Sequence, residues 1–232
     1  NFALRGVVYV DNQGGYIDNV AGTRNVSESG RFRPEGTVRA NGLPVSAGRA
    51  GFQAGSDLSG VRFIDADNGN RVEEDFNDAT YSGFRVTGLW EINDDWSLTV
   101  GHAQQELETE GVFFADPNLG DLEIQRYQED SLEDTFSNTS WTLKGMLGEL
   151  EVVYAGAFTD READQLVDYS DYLFVGQYLP YYVCDGSVTY PGAAPMGTCQ
   201  APNLFVKSNT ETQISTHELR FATDPDRPIS AT

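Results

Sequence analysis

The sequence predicts an all-β protein: an antiparallel up-and-down transmembrane β-barrel segment of about six strands, with long extracellular loops. Three observations carry this prediction. Period-2 alternation recurs along the chain, tight turns separate some alternating runs, and long polar stretches separate the others. No stretch approaches the ~20 apolar residues that a membrane-spanning helix requires. Barrel strands show only short alternation, so this absence leaves a membrane barrel open.

The first strand is predicted near residues 2–10. Its apolar residues Phe2, Leu4 and Val8 alternate with Arg5 and Tyr9, as in a strand with two unlike faces. A polar loop is predicted over 11–79.

The next two strands, near 80–92 and 96–106, are predicted to form a hairpin. Asn93 and Asp94 begin the tight turn between them, because Asn and Asp hydrogen-bond their own backbone there. Phe84 and Trp90 fall on one face of the first of these strands, and Arg85 falls on the other.

A second hairpin is predicted near 139–147 and 150–159, after a polar loop over 107–138. Leu143 and Val152 fall on the face opposite Lys144 and Glu151. A third long loop, over 160–209, leads to a last strand near 210–223. We therefore expect 1–232 to be one partial β-barrel domain.

Long and short connections alternate along this series. Consecutive antiparallel strands place alternate connections at the same end of a sheet, so the long loops gather at one end and the tight turns at the other. Outer-membrane barrels have this asymmetry. A polar lumen is then predicted to be lined by the charged residues opposite the apolar face: Arg5, Arg85, Glu91, Lys144, Glu151, Glu218 and Arg220. The alternative is a soluble β-sandwich or barrel with the aromatic residues in its core.

The charge composition of the chain limits the classes of partner that it can be expected to bind. The chain has 232 residues, with 15 Lys and Arg against 36 Asp and Glu and a formal charge of −21. Such an acidic chain repels phosphate backbones, so nucleic acid is not an expected partner. Aromatic residues make up 12%, which argues against a disordered acidic chain.

Three segments resemble TonB-dependent outer-membrane receptors. Residues 2–6 (FALRG) with 11–19 (DNQGGYIDN) resemble a strand and a "DGYIDN"-like loop start of that family. Residues 84–100 resemble its arginine strand, "ddw" turn and "sltv" strand, and residues 216–221 (THELRF) are similar to its "tqElRl" strand. The pieces occur in the family's order.

The resemblance implies a barrel of about 22 strands in the bacterial cell outer membrane, plugged by an N-terminal domain. Such receptors take up ferric siderophores, cobalamin or glycans with energy delivered through TonB. The implied partners are outer-membrane lipid, lipopolysaccharide, the ligand, and the TonB system through a plug. Plug, TonB box and a C-terminal aromatic strand end are absent from this sequence. Six strands are too few to close a barrel, so we expect an interior barrel fragment.

A tyrosine-rich loop is the candidate for ligand contact, because tyrosine offers a large rigid surface and a hydroxyl. Its residues are Tyr169, Tyr172, Tyr178, Tyr181 and Tyr182. A self-packed lid without a ligand is the competing interpretation. Cys184 and Cys199 in the same loop are predicted to form a disulfide, with two free thiols as the alternative.

No cofactor and no catalytic residue are predicted. Asp65 and Asp67 weakly resemble a calcium loop, but Phe76 stands where the bidentate Glu belongs, so a solvated turn with adventitious calcium at most is expected. His102 and His217 lie within predicted strands, without a cluster at metal-ligand spacing. We therefore expect a protein that is not an enzyme. The rival to the receptor is a secreted or surface-anchored soluble β-protein that binds glycans, or an adhesin or filament subunit with open sheet edges.

Overall fold

The structure, a computed structural model, describes residues 1–24, 59–170, 183–185, 187–188, 197–201 and 204–223. It is all-β, as predicted. The main sheet has six long antiparallel strands: β1 Phe2–Gln13, β6 Ala79–Glu91, β7 Trp96–Glu110, β9 Ser131–Leu147, β10 Leu150–Asp168 and β14 Phe205–Thr223. Their order in the sheet is β1-β6-β7-β9-β10-β14.

Short strands occur in the connections between the long ones. They are β2 Asp18–Asn19, β3 Thr23–Arg24, β4 Val61–Phe63, β5 Ala66–Asp67, β8 Glu123–Ile124, β11 Val183–Cys184, β12 Ser187–Val188 and β13 Gly197–Cys199, with a 3-10 turn at Gly69–Arg71. They pair among themselves into small sheets.

Two tight turns lie at one end of the main sheet, and the three long connections lie at the other. In the first turn the Asn93 side-chain oxygen accepts hydrogen bonds from the backbone N–H groups of Asp95 (2.9 Å) and Trp96 (2.8 Å). In the second turn Gly148 has a φ of +64°, a conformation that costs glycine little. The topology therefore has the end-to-end asymmetry that the sequence predicted.

The long strands reach further towards the loops than predicted. β7 ends at Glu110 rather than near 106, β9 begins at Ser131 rather than near 139, and β10 continues to Asp168 rather than to about 159. β1 and β14 are likewise longer than expected, at Phe2–Gln13 and Phe205–Thr223. The predicted loops 11–79, 107–138 and 160–209 were too long, because ladder hydrogen bonds join backbones and persist where both faces turn polar.

The main sheet has little core. In the part of the chain that is described, eight hydrophobic residues are buried, whereas 27 large hydrophobic side chains are exposed. A small cluster of Ile17, Val112 and Ile124, with Phe76 packed against it, lies among the loops instead. No helix in the described ranges has the length and apolar character needed to cross a bilayer.

Candidate functional site

The register divides the main sheet into two unlike faces, because directly paired residues point to the same side. We call one side face A; a single row of it runs Phe2, Trp90, Leu98, Leu143, Tyr154, Leu219. The other side is face B. All seven charged residues that were predicted to line a lumen lie on face B: Arg5, Arg85, Glu91, Lys144, Glu151, Glu218 and Arg220.

Face A changes character along the strands. Starting at the tight turns and moving along the strands towards the long connections, face A is apolar up to one limiting residue on each of the six strands. We call this region the apolar band. Its upper limits are Val10, Phe84, His102, Trp141, Phe158 and His217. Beyond them lies an acidic zone made of Glu106, Glu108, Glu110, Glu133, Asp160, Glu162, Asp164 and Glu211.

Both histidines belong to the upper rim of the apolar band. The ring of His217 stacks on Tyr154, with centroids 6.1 Å apart and planes 8° apart, and its Nδ1 lies 2.8 Å from the Tyr154 hydroxyl. Nδ1 of His102 lies 2.8 Å from the hydroxyl of Thr139, and its ring contacts Phe84. Each histidine thus has a hydrogen-bond partner for its Nδ1 within the sheet.

Trp141 lies across Gly156 and reaches His217. A Cβ added at Gly156 would come within 2.5 Å of the Trp141 ring. The ring centroid of Trp141 is 5.9 Å from that of His217. A glycine is therefore required under this indole if the aromatic group is to lie flat on the sheet.

Most charged side chains of face B are paired. Lys144 Nζ lies 3.0 Å from Glu151 Oε1, and Arg220 makes two hydrogen bonds of 2.6 and 2.7 Å to Glu218. Higher on the same face, Arg161 binds Asp134 through two nitrogens. These exposed pairs contribute little stability individually, but they hold charges in fixed positions along the face.

A buried polar cluster lies where β10 meets the loops. Arg126 donates from Nε to Asp130 Oδ2 at 2.7 Å and from Nη2 to Asp130 Oδ1 at 2.8 Å. It also donates to the backbone carbonyl of Asp168 at 2.7 Å. The carboxylate of Asp168 accepts hydrogen bonds from the backbone N–H groups of Tyr127, Gln128 (3.0 Å) and Ser170 (2.7 Å). We call Arg126, Asp130 and Asp168 the loop clamp.

Three buried asparagines extend this cluster to the other loops. Asn19 accepts from the backbone N–H of Arg126 at 2.8 Å, and Asn68 accepts from that of Gly22 at 2.6 Å. Asn77 accepts from the backbone of Ile17 at 2.7 Å. Because each side chain joins segments far apart in sequence, the asparagines connect the loop segments that follow β1, precede β6 and precede β9.

Sequence reasoning missed the loop clamp. Arg126 and Asp130 are four residues apart, but nothing in the local pattern connects them with Asp168, 42 residues from Arg126. A charged triad assembled by tertiary packing has no periodic signal in the sequence. The one available sign was a basic residue within an acidic loop.

The tyrosine-rich loop lies largely beyond the described ranges. Tyr169 is exposed, and its backbone N–H donates to the carbonyl of Leu204 at 2.9 Å. Tyr172, Tyr178, Tyr181 and Tyr182 fall outside the described residues. Their proposed ligand contact therefore stays a prediction.

The cysteine pair lies in a small sheet at the loop end. Cys199 is fully buried and disulfide-bonded, and the backbone of Cys184, the chain's other cysteine, pairs with it between β11 and β13. Nearby, β13 pairs in parallel with β4, so the pair is connected to residues 61–63 as well.

The weak calcium candidate is a turn. Asp67 Oδ1 accepts from the backbone N–H of Gly69 at 2.9 Å, and Ala66 pairs with Arg24 between β5 and β3. Among the described residues, no group of three His, Cys, Asp or Glu side chains is arranged to hold a metal ion. Asp65 is engaged in a polar interaction within the protein.

Comparison with known proteins identifies no family. No family model matches the chain, and no solved structure matches it. Protein Enhancer of LHP1 1 of Arabidopsis thaliana is 23% identical over 134 residues, which are 58% of this chain and 13% of that protein. The matched segment is thus a small part of that relative. The resemblance to TonB-dependent receptors stays a prediction.

Proposed function

We propose that the chain forms a wall section and surface loops of a bacterial outer-membrane receptor. In this proposal face A contacts lipid, face B lines a wet lumen, and the packed loops lie on the extracellular side. The receptor takes up a scarce ligand of the ferric siderophore, cobalamin or glycan class by binding it, without bond chemistry. The observation that carries the membrane setting is the oblique course of the apolar band.

The upper rim of the apolar band crosses the sheet at an angle to the rows of paired residues. From Val10 on β1 to His217 on β14 it drops by six residues over five inter-strand steps. With a rise of about 3.3 Å per residue and a spacing of about 4.8 Å per strand, this corresponds to a tilt of ~40°. Strands of outer-membrane barrels are tilted by roughly 35–45° from the barrel axis, which is parallel to the membrane normal. The flat edge of a bilayer would therefore cross the strands along a line with this slope.

The height of the band also suits a bilayer. On β10 it runs from Leu150 to Phe158, which is about 26 Å along the strand and ~20 Å along the membrane normal at that tilt. The apolar band of outer-membrane barrels is roughly 25 Å tall. A soluble sheet would need a second layer over this surface, and the described residues supply none.

The acidic zone lies directly above the band on face A. In an outer membrane it would meet the anionic lipopolysaccharide layer, where divalent cations bridge carboxylates to lipid phosphates. This supports outer-membrane lipid and lipopolysaccharide as partners and adventitious calcium as a bound ion, without a resident cofactor.

The receptor identity rests on the resemblance of residues 2–19, 84–100 and 216–221 to the TonB-dependent family. The edge strands β1 and β14 have no further strand beside them in the described sheet, as expected for a section of a larger barrel of the 22-strand type. Energy coupling through TonB would require a plug in the same protein.

Detergent dependence tests the membrane setting. The protein is expected to need detergent for a monodisperse state and to float with phosphatidylcholine vesicles in a density gradient. Val100 lies in the middle of the apolar band and is 44% exposed. Replacing it by Arg should lower the stability of the folded protein in the membrane by about 2–4 kcal/mol. The matched control Glu162→Arg in the acidic zone should have little effect. A monomer in plain buffer that stays at the bottom of the gradient would favour the soluble surface protein instead.

A further inference from the structure

Two arginines lie side by side on face B. Arg5 on β1 is paired with Thr87, and Arg85 on β6 is paired with Val7, so the two arginines are diagonal neighbours on adjacent strands. Diagonal neighbours on one face are separated by roughly 7–8 Å, within reach of long side chains. Two guanidinium groups at this spacing repel each other unless an anion lies between them.

Neither arginine has a carboxylate partner among the described residues, although the chain has 36 acidic residues. Arg126, Arg161 and Arg220 all bind carboxylates. Arg62 and Arg71 likewise have no carboxylate partner among the described residues. What distinguishes Arg5 and Arg85 is that the two uncompensated arginines are neighbours on one face of the sheet, an arrangement suited to an anion from outside the chain.

The arginines border a cavity of about 520 Å³ on the sheet. Its apolar lining includes Val7, Leu89 and Phe136. At one side the hydroxyl of Tyr9 donates to Gln105 Oε1 at 2.7 Å, which fixes a polar edge. Sites for small molecules usually measure roughly 300–1,000 Å³ and combine an apolar lining with a few polar groups.

We propose that this cavity binds an organic anion in which a carboxylate or phosphate group is attached to an apolar body. Arg5 and Arg85 hold the anionic group, since guanidinium presents paired N–H donors that match carboxylate and phosphate oxygens. The apolar body packs on Val7 and Leu89, which lie next to the arginines on β1 and β6.

This inference goes beyond the proposed function. It depends on the residues of the cavity and holds whether lipid or water contacts face A. The membrane experiment and the following binding experiment therefore fail independently.

The test uses 4-(trifluoromethyl)benzoate as the probe and follows its fluorine NMR signal on titration with the intact protein. We expect saturable binding, at least tenfold weaker binding of the neutral 4-(trifluoromethyl)benzamide, and displacement by benzoate or by phenyl phosphate. Displacement at a lower concentration of phenyl phosphate than of benzoate assigns a phosphate ligand, and the reverse order assigns a carboxylate. Equal binding of the amide, or the absence of any binding, would overturn the proposal.

Variants assign the binding to the two arginines. Arg5→Gln and Arg85→Gln should each weaken probe binding at least threefold, and the double variant at least tenfold. Arg220→Gln removes a cation of the same face that is paired with Glu218, and it should change binding less than twofold. Should the double variant not fold, Arg85→Lys keeps the charge, loses the paired donors, and should still weaken binding. Undiminished probe binding by folded Arg85→Gln and Arg85→Lys would contradict the assignment of the binding site to these arginines.

Discussion

The loop clamp offers the sharpest test of how the loops are held. In Asp168→Asn, one of the two carboxylate oxygens is replaced by an NH2 group. In the native protein these oxygens accept three backbone hydrogen bonds, two on Oδ2 and one on Oδ1. An amide in the same position therefore leaves at least one buried N–H facing another donor.

The magnitude follows from these contacts. A buried donor without an acceptor costs about 1–3 kcal/mol. The substitution also removes a negative charge 3.9 Å from Nε of Arg126, whose side chain is 6% exposed. We expect local destabilisation of about 2–4 kcal/mol at the loops. This corresponds to opening that is about 30- to 700-fold more frequent, at 1.4 kcal/mol per factor of ten.

Hydrogen exchange with mass spectrometry measures this opening. Peptides covering 124–130 and 166–170 should exchange faster by that factor in Asp168→Asn, while the strand segments near the tight turns keep their protection. Glu162→Gln, an exposed carboxylate on the same strand, is the matched control and should change neither region. Unchanged exchange at 124–130, or loss of protection over the whole sheet, would refute the assignment of the clamp to the loops alone.

Two further predictions address the sheet and the loops. Gly156→Ala should lower stability by about 1–3 kcal/mol in thermal unfolding, since its Cβ would displace Trp141; Gly6→Ala, with open space at its Cβ, is the control, and equal effects of both variants would contradict the reasoning. In the loops, backbone and side-chain N–H groups of Asn118 donate to Asp116 and hold the pKa of that carboxyl below its ordinary value of 3.8. The stabilisation of this turn should thus be complete above 3.8 and disappear as the pH falls through the lowered pKa, which an NMR titration of the Asn118 amide would follow; a midpoint at or above 3.8 would speak against it.

The sequence allowed the strands and their faces to be predicted where one face is apolar. Apolar and charged residues alternate clearly at Phe84 and Arg85 and at Leu143 and Lys144. The strand register places the members of each pair on opposite faces, as the alternation predicted. The ends of the strands near Glu110 and Ser131 were not predictable in this way. Both faces are polar there, and alternation carries no signal.

The candidate sites depend on contacts between distant residues. Arg5 and Arg85 were both expected on one face, but their adjacency follows from the pairing of β1 with β6 across 65 intervening residues, 14–78. The loop clamp likewise requires the end of β10 to approach Arg126. Local patterns specify elements and faces, whereas the pairing of elements decides which charges meet.

Accessibility of spin labels in vesicles tests the central assignment of the two faces most directly. Labels are attached to cysteines introduced at Val100 in the apolar band, at Thr99 on face B, and at Glu108 in the acidic zone. Lipid contact predicts that the label at Val100 collides mainly with oxygen, which concentrates in the bilayer, while the labels at Thr99 and Glu108 collide more with a water-soluble nickel complex. Similar collision rates at Val100 and Thr99, or a label at Val100 that is reached chiefly from water, would contradict the account.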